Sequence, residues 1–132
     1  MIIKKNYHKD FPSWDSLLNN FNQSLTKKKI IKHNESFLVS HEAIEIPEVK
    51  KFALLLGAKD AHLYMSFLPK AKGLGRHKDR MDVGFWQVKG KSLWNINDKS
   101  AILEEGDYLF IPKGTYHEVI GLNVRAGISY GF

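Results

Sequence analysis

Between Ala61 and Phe132 the sequence is broken by turn-forming residues at short, regular intervals, and this rhythm constrains the fold more than any other feature. Lys89-Gly90, Asn97-Asp98, Gly106-Asp107 and Pro112-Lys-Gly114 separate brief runs rich in Val, Ile, Phe, Tyr and Trp. Helices of useful length do not fit between such breaks, whereas short strands do, so an all-β sandwich or barrel is expected. The expected strands fall at 61–68, 82–91, 92–96, 101–103, 108–111, 117–120 and 124–130. Lys89-Gly90 is expected to close a two-residue hairpin into the strand at Ser92. Over 61–68, Leu63, Met65 and Phe67 alternate with His62, Tyr64 and Ser66, the pattern of a half-buried strand with a polar face towards a pocket.

Upstream the period changes. Ser13 is placed to cap a helix over 13–25, where Trp14, Leu17, Leu18, Phe21 and Leu25 recur at helical spacing. Lys27, Lys28 and Lys29 suit the negative end of that helix. Pro47 and Glu48 suit the first turn of a second helix over 47–56, with Val49, Phe52, Ala53 and Leu56 as its apolar face and Gly57 as its stop. Short strands are expected within 1–11, at 30–32 and at 36–40, with His33-Asn-Glu35 as a turn. With 132 residues the chain reads as one domain, 1–60 forming a helical and edge-strand flank and 61–132 the barrel.

Three residues carry the candidate chemistry. His77 and Asp79 are two apart, so in extended backbone their side chains share a face. Gly73 and Gly75 let the chain turn tightly just before them. His117 follows the turn at Pro112–Gly114 and opens the next strand, which could bring it to the same point. Two imidazoles and one carboxylate on one side of a metal leave the other positions open, the facial arrangement of non-haem Fe(II) oxygenases. The chain has no cysteine, which excludes disulfides and thiolate ligation. Asp82 and Glu118 are candidates to orient the two histidines. His8, His33 and His41 lie in polar stretches and read as surface residues. His62 reads as a structural histidine that could face the pocket.

Gly106-Asp-Tyr-Leu-Phe-Ile-Pro-Lys-Gly-Thr-Tyr-His117 resembles the second motif of the cupin superfamily. The whole of Gly73 to Phe132 resembles the JmjC-type oxygenases, especially the bacterial ribosomal-protein hydroxylases. The matching stretches are Gly73-Leu-Gly-Arg-His-Lys-Asp-Arg-Met-Asp-Val83, Gln87 to Ile96, Gly106 to Glu118 and Ile128 to Phe132. The resemblance extends faintly upstream through Leu63-Tyr-Met-Ser-Phe-Leu-Pro69. It implies a mainly β fold, a cupin-type double-stranded β-helix or jelly-roll barrel with two flanking N-terminal helices. It further implies Fe(II), or another divalent metal, held by His77, Asp79 and His117, with 2-oxoglutarate as cosubstrate and a ribosomal or other protein as substrate. A homodimer and a cytoplasmic location are compatible with it.

One position departs from this pattern. The hydroxylases carry a Lys or Arg fifteen residues after the first metal histidine, to pair with the distal carboxylate of 2-oxoglutarate; here that position is Ser92. A hydroxyl donates one hydrogen bond and cannot neutralise a carboxylate. Other 2-oxoglutarate oxygenases use an Arg on the final strand, which points to Arg125, with Ser129 on the same strand face. The alternative is a metal-binding cupin with other small-acid chemistry or a binding role.

The net charge is +6, from 20 Lys and Arg against 14 Asp and Glu. This favours acidic partners, but scattered lysines are chiefly solubilising, and no basic run alternates with stacking aromatics, so nucleic acid is not expected. A basic accessory protein on nucleic acid or a ribosome is the weakest of the three readings. No apolar run approaches the ~20 residues of a membrane span, and the N-terminus does not read as a signal peptide.

Overall fold

The computed structural model describes residues 2–26, 30–33, 37–68 and 75–132, with the backbone alone for 25, 26, 30–33 and 37. Lys27–Lys29, the turn at 34–36, Gly73 and the side chains of Leu25 and His33 lie outside the described residues. The elements in order are β1 (Ile2–Lys4), α1 (Trp14–Thr26), β2 (Ile30–His33), β3 (Phe37–Ser40), a 3-10 turn (Ala43–Glu45) and α2 (Pro47–Leu56). The strands β4 (Asp60–Ser66), β5 (Val83–Lys89), β6 (Ser92–Ile96), β7 (Lys99–Leu103), β8 (Tyr108–Ile111), β9 (His117–Gly121) and β10 (Arg125–Gly131) follow.

Two antiparallel sheets face each other, one in the order β1-β8-β5-β10-β4-β3-β2 and a smaller one in the order β7-β6-β9. From β5 onward each connection except that between β6 and β7 crosses from one sheet to the other, and this corrects one expectation. Lys89-Gly90 does not close a hairpin, because β5 lies in the large sheet and β6 in the small one. Gly90, at φ +69°, turns a corner instead. A glycine-bearing dipeptide serves any bend needing positive φ, so the sequence alone does not distinguish hairpin from corner. Asn97, at φ 53°, does turn a hairpin, between β6 and β7.

Strand alternation divides the large sheet into two unlike faces. Ala61, Leu63 and Met65 of β4, Trp86 and Val88 of β5, and Ala126, Ile128 and Tyr130 of β10 form one buried cluster with Leu17 of α1 and Val49, Phe52 and Ala53 of α2. Tyr130 Oη donates to the carbonyl of Val49, tying β10 to α2 (3.1 Å). The other face looks into the barrel. There Phe85, Leu109 and Ile111 pack with Trp94, Ile96 and Leu103 in a smaller cluster.

The helices form as their local signals dictate. Ser13 Oγ accepts the amide of Ser16 (3.1 Å), the expected N-cap. Pro47 opens α2 and Gly57, at φ 75°, closes it. The stripe on α1 is narrower than expected. Leu17 is buried and Leu18 is exposed, while Asn20 and Ser24 take inward places. Both are satisfied there, Asn20 by the carbonyl of Glu42 and the hydroxyl of Ser40, and Ser24 by Ser40 Oγ. His8 is also not the surface residue expected. Its ring stacks on Phe52 at 4.0 Å and meets Trp86 edge-on, and its carbonyl accepts Trp86 Nε1–H. Burial pulls its pKa below the ordinary histidine value, against the opposing pull of Asp10.

Candidate metal centre

His77 and His117 are directly opposed residues of neighbouring extended segments. Each amide donates to the other's carbonyl, at 2.9 and 2.8 Å. Such a pair places both side chains on one face, and the ring centroids stand 4.3 Å apart. Asp79, two residues on, reaches the same side, with its backbone carbonyl accepting the amide of Gly114 (2.9 Å). That bond ties the turn at Pro112–Gly114, which delivers His117, to the segment that carries the other two residues. Sequence-distant groups thus converge because backbone bonds set the register.

The tautomers follow from the partners of each Nδ1. His77 Nδ1 is 2.8 Å from the carbonyl of Gly75, and His117 Nδ1 is 2.9 Å from the carbonyl of Thr115. A carbonyl can only accept, so each Nδ1 carries the hydrogen and each Nε2 presents its lone pair. His117 Nε2 stands 3.3 Å from one oxygen of Asp79 and His77 Nε2 stands 3.9 Å from the other. The three ligand atoms all lie within 4.8 Å of one another. Ligand atoms on one face of an octahedral first-row ion are about 3 Å apart, given metal–ligand distances of about 2.1 Å. The donor set and its spacing therefore fit a divalent ion after a small inward adjustment. Burial, the largest influence on His117, pulls its pKa down, against the Thr115 hydrogen bond and the Asp79 charge, which favours the neutral imidazole that ligation requires.

The orienting groups are not those expected. Asp82 accepts the amide of Lys113 (2.8 Å) and Glu118 accepts Asn95 Nδ2–H (2.9 Å), so both carboxylates serve loops and strands away from the imidazoles. Backbone carbonyls orient the imidazoles instead, and side-chain types in a sequence carry no signal for them.

The triad opens onto a cavity of about 260 Å³ between the sheets. Its rim is exposed, at Asp60, Arg80 and Met81, while His117 retains only 5% of its side-chain exposure. The wall opposite the triad comes from β4 and β10, where His62 pairs with Ser129, Tyr64 with Gly127 and Ser66 with Arg125. His62, Tyr64, Arg125, Gly127 and Ser129 line the cavity; Ser66 is instead buried, with its hydroxyl bonded to Leu68. His62 Nδ1 contacts His41 Nδ1 at 2.7 Å, and its Nε2 faces Asp60 at 3.7 Å. Burial, reinforced by the Asp79 charge, pushes the Tyr64 phenol above its ordinary pKa.

Arg125 enters from β10 at the end of the cavity away from the triad. Along β9, about 13 Å of strand separates His117 from Gly121 at about 3.3 Å per residue. The guanidinium lies over Gly121, in the room its missing side chain leaves. Among the described residues no ion pair or hydrogen bond is made to it. Burial draws its pKa below the ordinary arginine value. Ser92 also faces inward, as the cross-strand neighbour of Gly121, but it does not line the cavity. Its hydroxyl donates to Gln87 Oε1 (2.6 Å) and accepts Trp94 Nε1–H (2.9 Å), so it is already committed within the buried floor.

No protein-family model and no curated protein matches the sequence. Solved structures do match. The ribosomal oxygenase YcfD from Escherichia coli, in complex with cobalt and 2-oxoglutarate, aligns with a TM-score of 0.78 at 20% identity, over 99% of this chain and 47% of that one. This chain thus spans about half the length of the oxygenase it matches. A cupin superfamily protein from Desulfitobacterium hafniense aligns with a TM-score of 0.60 at 15% identity, over 97% and 95% of the two chains. KdgF from Halomonas sp. aligns with a TM-score of 0.61 at 16% identity, over 80% and 89%. These likenesses establish the fold: a cupin-type jelly roll, mainly β, with two helices on the outer face of its larger sheet. Among the described residues no helix is long and apolar enough to cross a membrane.

Proposed function

We propose that this chain carries a non-haem Fe(II)/2-oxoglutarate-dependent hydroxylase site, with 61–132 forming the barrel and site and 1–60 its flank. The observation that carries the reading is one cavity lined by His77, Asp79 and His117 and also by Arg125, whose guanidinium lies over Gly121 and is unpaired among the described residues. An anion bound at the metal end with a second carboxylate further in meets a cation there. Left without one, a buried carboxylate costs several kcal/mol.

His77, Asp79 and His117 would hold the metal, Fe(II) or a close substitute, and the bound ion would supply a redox-active centre for dioxygen and the 2-oxo acid. The residues themselves do the positioning. The carbonyls of Gly75 and Thr115 fix the imidazoles, and Arg125 receives the distal carboxylate, while Ser129 lies four residues further along the same strand face. Ser92 takes no direct part, because its hydroxyl is spent on Gln87 and Trp94. A cation on residue 92 would point into the floor that Arg125 now fills, so Arg125 replaces it from a different strand. By likeness to the ribosomal oxygenase, the substrate is a protein side chain presented at the exposed rim, in the cytoplasm. The near-complete mutual coverage with a short cupin superfamily protein favours a second reading, a metal-binding cupin that does not use 2-oxoglutarate.

Anaerobic addition of Fe(II) and 2-oxoglutarate separates the two. The hydroxylase reading predicts a visible metal-to-ligand charge-transfer band that needs both components and disappears in Asp79→Ala. Fe(II) binding without that band leaves the plain cupin.

A further inference from the structure

Gly121 closes the inner end of β9, on the strand face that also carries His117 and Val119. Its φ is not in the left-handed region, so its backbone does not require glycine. What the site requires is the absence of a side chain. A Cβ on Gly121 would stand 2.6 Å from Arg125 Nε and 2.8 Å from its Cζ, inside van der Waals contact. Beneath the guanidinium the floor is closed. Ser92, opposite Gly121 on β6, and Gln87 are buried and hydrogen-bonded to each other there, while Trp94 stands nearer the triad, opposite Val119. A guanidinium displaced from Gly121 therefore moves up the cavity, towards the triad.

We propose that Gly121 sets the length of the acid this cavity accepts, by seating the Arg125 guanidinium on its floor. The inference rests on the cosubstrate reading above, in which a 2-oxo diacid spans from the triad to Arg125. A methyl group at 121, its carbon 2.6 Å from Nε, lifts the cation by about 1 Å to reach ordinary contact at about 3.5–4 Å. That is about one methylene of diacid, so the five-carbon 2-oxoglutarate overruns the shortened span and the four-carbon oxaloacetate matches it.

The test is calorimetric titration of Mn(II)-loaded wild type and Gly121→Ala with each diacid in turn. Wild type should prefer 2-oxoglutarate. Gly121→Ala should weaken 2-oxoglutarate by about ten-fold and oxaloacetate by no more than about two-fold, a change in preference of about five-fold or more. Mn(II) affinity should not change. Equal losses for the two acids, or no loss for either, overturn the proposal while leaving the cosubstrate reading standing. A wild type that binds Mn(II) but neither diacid overturns both. Should Gly121→Ala fail to fold, Gly121→Ala/Arg125→Lys is measured in its place, since the slimmer ammonium clears the methyl. It should prefer 2-oxoglutarate as wild type does, and loss of that preference overturns the proposal.

Discussion

The two faces of the large sheet are built from the same strands and do opposite work. On the outer face Leu63, Trp86, Ile128 and Tyr130 are sealed under α1 and α2, with essentially no exposure. On the inner face the alternate residues of those strands include His62, Tyr64, Arg125, Gly127 and Ser129, and they border an open cavity. Stability resides in the first face and candidate chemistry in the second. The inner face tolerates a cavity, and a guanidinium unpaired among the described residues, because the outer face holds the strands in place without it. A single strand carries both roles because side chains alternate with period two.

The largest effect should come from breaking the outer face. Trp86 is fully buried, packs against Phe11 and Phe52, and donates its indole N–H to the carbonyl of His8 (2.9 Å). Trp86→Ala should cost about 3–5 kcal/mol by denaturant unfolding. A loss below about 1 kcal/mol would mean that this face is not the stabilising one.

Changes on the inner face should separate from stability. Asp79 is the only carboxylate of the triad and is half-buried. Asp79→Ala should weaken Mn(II) or Fe(II) binding by at least about 100-fold, about 2.8 kcal/mol. Its unfolding free energy should stay within about 1 kcal/mol of wild type. Unchanged metal affinity in that variant would remove the triad. Arg125→Ala should weaken 2-oxoglutarate binding by about 10- to 100-fold, 1.4–2.8 kcal/mol, and leave metal binding nearly unchanged. Calorimetry on the Mn(II)-loaded protein reads both quantities, and equal losses of metal and acid would contradict the division of labour along the cavity.

A smaller, pH-dependent effect should appear at the edge where the N-terminal segment crosses the large sheet. Asp107 is buried. It accepts the amides of Asn6 (2.9 Å) and Glu104 (2.8 Å) and pairs with the Lys5 ammonium. Burial alone would raise its pKa, but these partners together hold it below the ordinary carboxyl value of 3.8. A depressed folded pKa contributes stability above the unfolded value and loses it as pH falls through the folded one. Asp107→Asn should therefore be less stable than wild type at neutral pH, and the difference should shrink progressively below about pH 4. A difference independent of pH would mean that the carboxylate's charge is not what anchors this edge.

Much of this arrangement is legible in the amino-acid order. The turn rhythm after Ala61 marks out the strands, and a spacing of two places His77 and Asp79 on one side. Alternation places Arg125, Gly127 and Ser129 together. What is not legible depends on which strands pair. The cross-strand bridge between His77 and His117, the carbonyls of Gly75 and Thr115, and the packing of Arg125 over Gly121 join residues through the backbone or through an absent side chain. His8 escapes sequence reasoning for a related reason. Its neighbours in the sequence are polar, but the partner that stacks on it is Phe52, far along the chain. The corner at Gly90 resembles a hairpin because local turn chemistry does not say in which sheet the next strand lies.

One cavity is expected to hold a divalent ion at one end and an acid's distal carboxylate at the other. Crystals grown with Mn(II) and 2-oxoglutarate test this most directly, through the anomalous signal of the metal. The expected result is a single strong peak about 2.0–2.2 Å from His77 Nε2, Asp79 and His117 Nε2. The acid should chelate that ion and its far carboxylate should meet the Arg125 guanidinium. A metal bound elsewhere, or an acid whose far carboxylate turns away from Arg125, would contradict it.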